Sequence, residues 1–276
     1  MKKHFKTHRF IVIIFVIFCS LHVTQASPSF AGETNIYLIG EYFDWQEFVD
    51  NKKFVRESGL RFGIGLAYNY NFKFYDNQLI LKPHLELIGG QIDYDSSTNS
   101  NIPVKSDSDY YDGKVELDLG WRIGSLKKVT VEPFVGIGFR GWYRNIRDAV
   151  AADGITNIYG YPEEWYSIYF RAGLRGDVAL WGETRLFVEA GGKYPVYNRN
   201  TARFDKSDLG PAVTFEPGNE ISWFAETGVK YKLFKASFYY DSMRFSKSDI
   251  EYSRGIGYYQ PKSEADMYGI RVGMAF

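Results

Sequence analysis

Between positions 60 and 72, large apolar side chains alternate with small or polar ones over thirteen residues without a break. Leu60 and Phe62 begin the apolar set, whereas Arg61 and Gly63 begin the other. Successive side chains of a β-strand point to opposite faces, so this period of two predicts a strand with one apolar face. At about 13 residues, the strand is long enough to cross a bilayer when tilted.

The same period returns along the rest of the chain, and it predicts ten strands in all: 36–45, 60–72, 79–87, 114–122, 129–140, 166–175, 186–196, 223–231, 236–245 and 268–276. Short connections near 73–78, 124–128, 181–183 and 232–234 alternate with long polar ones near 46–56, 95–109, 145–163, 198–218 and 246–265. Bacterial membrane barrels typically have an even number of strands. Their short turns lie at the same end as both chain termini, and their long loops lie at the opposite end. We therefore predict an all-β fold, a transmembrane antiparallel up-and-down β-barrel of about ten strands.

Overall hydropathy does not argue against a membrane location. The mean hydropathy is −0.30, but a barrel strand exposes only every second residue to lipid. Aromatic residues gather at the predicted strand ends and suggest two interfacial girdles. The turn-side girdle would contain Tyr70, Phe72, Trp121, Trp181, Tyr231 and Phe276, and the loop-side girdle Trp45, Tyr94, Tyr111, Trp142, Trp165 and Tyr197.

Residues 1–31 have the pattern of a secretory signal peptide. Four basic residues and no acidic residue occupy the first nine positions, and an apolar stretch from 10 to about 23 follows. This stretch is shorter than the ~20 residues of a membrane-spanning helix. We predict cleavage after Ala26 or Ala31, which leaves a barrel domain at 32–276. A lipid anchor on Cys19 is the alternative.

Charge and cysteine content argue against a nucleic-acid partner and against disulfide bonds. The chain has 33 basic and 33 acidic residues, and without the four basic residues of the signal peptide 29 remain against 33. Nothing indicates a nucleic-acid partner. Because Cys19 is the only cysteine, the exported chain would have no disulfide, and no motif indicates a cofactor.

The chain ends in an alternating strand with an aromatic last residue. Its apolar face consists of Tyr268, Ile270, Val272, Met274 and Phe276. From about Thr34 to Phe276 the chain resembles the small bacterial outer-membrane β-barrel proteins, in the ten-stranded size class of the omptins and Opc. The resemblance implies location in the outer membrane with both termini periplasmic, contacts with lipid and lipopolysaccharide, and recognition of the terminal strand by the barrel-assembly machinery.

The omptin resemblance does not extend to catalysis. Omptin-type proteases use aspartates and a histidine above the membrane to activate water, and the barrel lipid hydrolases place a histidine beside a serine. After removal of the signal peptide, His84 is the only histidine, and it is predicted low in a rising strand, facing inward. We therefore expect no enzymatic activity, and an outer-membrane hydrolase is only a remote alternative.

Charged residues of both signs fall in the inward phase of the predicted strands. The candidate lumen residues are Arg61, His84, Glu86, Glu116, Asp118, Arg122, Glu132, Arg140, Arg171, Arg175, Glu189, Lys193, Glu226, Lys230 and Arg271. One interpretation is that these charges pair across strands and fill the interior, because an unpaired buried charge costs several kcal/mol. The other is a narrow hydrated pore, in which inward glycines leave space beside the long cations.

The long connections offer two weaker signals. Asp93, Asp95, Asp107 and Asp109 flank one of them and are weak candidates for a divalent cation, although a solvated loop is the simpler interpretation. The last connection is rich in tyrosine, as adhesive surfaces often are. Two function classes therefore remain: a structural or surface-interaction barrel acting through its extracellular loops, and a porin-like narrow channel for small solutes or ions.

Overall fold

The computed structural model describes residues 32–74, 77–98, 100–124 and 128–276. Within these residues ten long strands form one sheet: β1 (Glu33–Val49), β2 (Lys52–Phe74), β3 (Asn77–Ser97), β4 (Pro103–Gly124), β5 (Val129–Ile146), β6 (Pro162–Ala179), β7 (Thr184–Ala202), β8 (Ser222–Tyr231), β9 (Phe234–Ser246) and β10 (Lys262–Ala275). The predicted signal peptide, and hence the boundary at 32, lies outside the described residues and stays a prediction. No helix in the described part of the chain is long and apolar enough to cross a membrane.

The sheet closes on itself. Each strand pairs antiparallel with its neighbours in sequence, and β1 pairs with β10 in a register that places Asn35 opposite Ala275. The amide of Thr34 donates to the carbonyl of Phe276 at 2.8 Å, and the amide of Phe276 donates back to Thr34 at 2.9 Å. Closure leaves no unpaired edge, and the predicted all-β, ten-stranded antiparallel barrel is confirmed.

The two ends of the barrel differ. At the end that we call the turn end, the start of β1 and the end of β10 lie at the side of the four short connections of the barrel. At the opposite loop end, two of the predicted long connections prove to be strand. β1 and β2 meet at Asp50 and Asn51, whose φ angles of 50° and 60° suit a tight hairpin turn, and β3 and β4 are separated only by 98–102. The predictions of long loops at 46–56 and 95–109 were therefore wrong, because polar residues above the membrane conceal the strand pattern without breaking the ladder.

The other three loop-end connections fold over the barrel. They contain the short strand pairs Ala149–Val150 with Asn157–Ile158 and Glu251–Ser253 with Ile256–Tyr258, the 3-10 turn Phe204–Lys206, and the short strands Val213–Phe215 and Gly218–Asn219. We call residues 147–161, 203–221 and 247–261 the loop-end cap.

A band of apolar side chains surrounds the outside of the barrel. It includes Ile36, Leu38, Leu60, Phe62, Ile64, Leu117, Leu119, Val135, Ile137, Phe170, Leu174, Val188, Phe238, Ile270 and Val272, all of them exposed. Because β1 to β7 are 17 to 23 residues long and a tilted membrane strand needs about 9–11, these strands continue well beyond the band at the loop end.

At the turn end, four of the six predicted girdle residues are exposed on the outside and Tyr70 and Phe72 are half-buried, whereas the prediction for the loop end was partly wrong. Trp121, Trp181, Tyr231 and Phe276 are exposed on the outside, as are Tyr111 and Tyr197. Trp45, Trp142 and Trp165, in contrast, are buried inside the barrel, and Tyr94 faces inward with them. The reason is strand phase, since Trp142 lies two residues from the inward Arg140 and therefore faces the same way.

Candidate functional site

The barrel interior is the candidate site, and its middle is filled by ion pairs that cross it. Lys82 on β3 contacts Glu189 on β7 at 3.5 Å, and Arg271 on β10 contacts Glu86 on β3 at 2.8 Å. Lys114 on β4 reaches Asp241 on β9 at 3.6 Å. None of these strand pairs are neighbours in the sheet. The side chains therefore act as struts across the lumen.

Four of the predicted lumen carboxylates join this network on one side. Arg171 contacts Glu116, Asp118 and Glu189, and Arg175 contacts Asp118, Glu132 and Glu189. The distances from Arg171 to Glu189 and from Arg175 to Glu132 are both 2.8 Å. Each carboxylate faces at least one guanidinium, which compensates the cost of removing it from water.

A second part of the network lies nearer the loop end. Arg61 pairs with Glu41 and contacts Asp112 at 3.3 Å, and its guanidinium lies 3.9 Å from the ring centre of Phe43. Arg140 also contacts Asp112, at 2.5 Å. Asp112, which flanks a connection in the sequence, is therefore an interior residue.

The remaining candidate lumen residues also have partners. Arg122 lies 3.4 Å from Glu132, Glu226 lies 2.6 Å from Arg271, Lys193 pairs with Asp241, and Lys230 pairs with Glu33 near the turn-end rim. His84 forms hydrogen bonds with the Tyr37 hydroxyl and the Glu116 carboxylate, and its Nε2 lies 3.2 Å from Glu86. The structure thus brings fourteen of the fifteen candidates into contact with interior partners, whereas Lys230 pairs with Glu33 apart from them at the rim.

Inward glycines make room for rings. A β-carbon placed on Gly65 would collide with the ring of Tyr37, and one on Gly138 would collide with the ring of Tyr169. Neighbouring rings fill the space beside these two glycines, so the glycines do not widen a path for water.

A cavity of about 200 Å³ lies between the ion-pair network and the turn-end rim. Its lining includes Glu33, Tyr37, Lys82, Arg122, Lys230 and Lys235. The cavity could hold water or a small polar solute, but its walls already pair their charges with one another.

Above the network, aromatic rings close the barrel. We call Trp45, Trp142, Trp165 and Phe245 the tryptophan plug. Trp165 stacks on Trp142 with centroids 5.2 Å apart and planes 7° apart, and its ring lies 5.1 Å from Trp45 and 5.3 Å from Phe245. These rings come from β1, β5, β6 and β9, so they meet across the lumen. Sequence reasoning missed the plug, although strand phase was a usable signal.

The loop-end cap is held together by contacts between its own segments and with the barrel. Rings of Tyr161, Phe204 and Tyr258 join its three segments, with centroids 4.6 Å and 5.6 Å apart. The amide of Ala152 donates to the carbonyl of Pro103 at 2.9 Å and fixes the first segment to β4.

A turn in the first cap segment is held by Asp153. The side chain of Thr156 and the amides of Ile155 and Thr156 donate to its carboxylate. These hydrogen bonds hold the pKa of Asp153 below its ordinary value.

The aspartates considered for a divalent cation point to arginine and lysine instead. Asp109 lies 2.9 Å from Arg147, Asp107 lies 4.0 Å from the same guanidinium, and Asp95 lies 3.7 Å from Lys105. Among the described residues, no group of three or more histidine, cysteine, aspartate or glutamate side chains is arranged to hold a metal ion. Asp93 lies on the same hairpin, in register with Asp107.

The apolar face of the terminal strand points outward. Tyr268, Ile270, Val272, Met274 and Phe276 are all exposed, while Arg271 between them points into the ion-pair network.

Comparison with known proteins gives a likeness of fold. No protein-family model and no curated protein matches this chain. The crystal structure of the outer-membrane protease OmpT from Escherichia coli superposes with a TM-score of 0.53 at 10% identity, covering 91% of this chain and 98% of that one. The transport unit of the autotransporter AIDA-I from Escherichia coli gives 0.48 at 11% identity, covering 96% and 97%. Ail, the attachment invasion locus protein of Yersinia pestis, gives 0.34 at 13% identity, covering 89% and 99%.

Identities this low bear on architecture and not on activity. The OmpT superposition spans nearly the whole of both chains, and the closed ten-stranded barrel carries its apolar band on the outside. The chain therefore has the fold of the bacterial outer-membrane β-barrel proteins.

Proposed function

We propose that this protein is an integral outer-membrane barrel with a closed lumen, and that its loop-end cap is an extracellular surface that binds another macromolecule. Both termini and the short turns would then lie in the periplasm, with lipid and lipopolysaccharide around the band. The observation that carries the proposal is a set of apolar side chains on the folded cap. Ile155 is 82% exposed and Tyr252 is 75% exposed, although neither lies in the membrane band.

The cap exposes apolar side chains on each of its three segments, including Leu209 and Ile221 on the second. Val150, Ile155 and Tyr159 belong to the first segment, and Ile250, Tyr252 and Ile256 belong to the third. Exposed apolar groups on a rigid scaffold suit binding, because little conformational entropy is lost when a partner covers them.

A narrow channel is the alternative, and the turn-end cavity is the observation that favours it. That cavity ends at the ion-pair network, and the tryptophan plug and the cap lie beyond it. A path through the barrel would need all three to move.

The binding proposal is tested by adhesion of cells that display the protein. We expect wild-type cells to bind at least one member of a panel of immobilised extracellular proteins and cell surfaces. The double variant Ile155→Ser, Tyr252→Ser should bind at least about tenfold more weakly, which corresponds to about 1.4 kcal/mol.

Lys105→Ser is the matched control, since this side chain is also exposed at the loop end but is polar. It should bind like the wild type. Equal surface display must be shown for every variant. Binding by the double variant that equals the wild type, or no binding by wild-type cells above cells without the protein, would refute the proposal.

A further inference from the structure

Three buried carboxylates surround one arginine directly above the tryptophan plug. Nη1 of Arg144 donates to Glu47 at 3.0 Å and to Glu163 at 2.9 Å, and its Nε lies 2.9 Å from Glu57. All four side chains are less than a tenth exposed. We call Glu47, Glu57, Glu163 and Arg144 the carboxylate lock.

The lock has more negative than positive charge. Within the described part of the chain, Arg144 is the one basic side chain that makes an ion pair with these carboxylates. The other polar groups that face them are uncharged hydroxyls from β3, β4 and the cap: Tyr94, Ser108, Tyr110 and Tyr161. The ion pairs below the plug differ, since carboxylates and cations are nearly equal in number there.

The three carboxylates are not equivalent. Glu57 accepts hydrogen bonds from Ser108 and Tyr110 and faces the Nε of Arg144, so it has donors that Glu47 and Glu163 lack. Glu47 and Glu163 must share the single Nη1. Two ionised carboxylates held near one guanidinium and away from water repel each other, which favours a proton on one of them.

This pair is joined directly to the plug. The indole Nε1 of Trp45 donates to Glu47 at 2.9 Å, and the indole Nε1 of Trp165 donates to Glu163 at 2.9 Å. Repulsion that moves the two carboxylates apart would therefore also displace Trp45 and Trp165, because each indole is hydrogen-bonded to one of the carboxylates.

We infer that Glu163 carries a proton while the plug is closed, and that losing this proton loosens the plug. The carboxylate lock then makes the packing of the tryptophan plug depend on pH. The closed state binds this proton more tightly than a loosened, hydrated state does, because burial and the nearby carboxylates disfavour the ionised form of Glu163. The closed plug is therefore most stable at low pH, and its stability decreases as the pH rises and the proton is lost.

The test follows the stacked pair Trp142 and Trp165, whose coupled indoles give a signal in circular dichroism that isolated tryptophans lack. In the folded wild-type barrel in detergent, we expect this signal to diminish reversibly as the pH is raised from mildly acidic to mildly alkaline. Glu163→Gln keeps an acceptor for Trp165 but removes the charge, so it should retain the signal throughout. Glu47→Gln should do the same, and it serves if the first variant fails to fold.

Glu164→Gln is the matched control, because its side chain neighbours Glu163 in sequence but pairs with Arg203 on the other face of β6. It should respond like the wild type. The inference is overturned if the wild-type signal does not change with pH, if it is lost on acidification instead, or if both glutamine variants respond like the wild type.

Discussion

Arg61→Ala is expected to lower the free energy of unfolding by about 3–5 kcal/mol, the usual cost of removing one partner of a buried ion pair. The Arg61 side chain is fully buried, pairs with Glu41, contacts Asp112, and lies against the ring of Phe43. Alanine would leave Glu41 with only the hydroxyl of Tyr239 as a hydrogen-bond donor among the described side chains. Equilibrium unfolding of the refolded barrel in denaturant measures the change.

Arg56→Ala is the matched control on the same strand. Arg56 pairs with Asp44 on the outside of the barrel, where solvent screens the charge, so the loss should be about 1 kcal/mol or less. Equal losses for the two variants would contradict an interior held together by ion pairs.

Trp165→Ala is expected to cost a similar amount, about 3–5 kcal/mol, through loss of packing. Trp165 has 0% exposure and contacts the other three rings of the tryptophan plug. Alanine would leave a cavity that stacked rings from three other strands cannot easily fill. The same unfolding measurement applies.

Trp181→Ala is its control. Trp181 is 73% exposed on the turn between β6 and β7, so its replacement should affect stability much less. A Trp165→Ala variant as stable as Trp181→Ala would show that the plug contributes nothing to the folded barrel.

The fold could be predicted because the period of two survives in nearly every strand. A strand such as β2 keeps Leu60, Phe62 and Ile64 on the lipid side through its whole membrane segment. Closure then follows from strand number and alternating connections. The loop-end hairpins were less predictable, since outside the membrane neither face of a strand needs to be apolar.

The plug illustrates a different limit. Tryptophan is common both at membrane interfaces and in packed cores, so Trp45, Trp142 and Trp165 were assigned by their position at strand ends. The alternation along each strand puts these tryptophans inside the barrel. Trp45 lies on the same face of β1 as Glu41, and Trp142 lies on the same face of β5 as Arg140.

The ion-pair partners could not be predicted from phase alone. Lys82 and Glu189 meet because β3 and β7 face each other across the barrel, which depends on shear and register. The carboxylate lock was missed for the same reason, since Glu47, Glu57 and Glu163 come from three strands.

Single-channel conductance of the refolded mature protein in a planar bilayer at neutral pH tests the closed lumen most directly. Wild type should be compared with Arg140→Ala and Arg171→Ala, both of which remove struts below an intact plug. We predict that all three folded proteins are silent. Discrete openings by the wild type, with a size or ion selectivity that shifts in the arginine variants, would instead establish a pore and contradict the closed barrel.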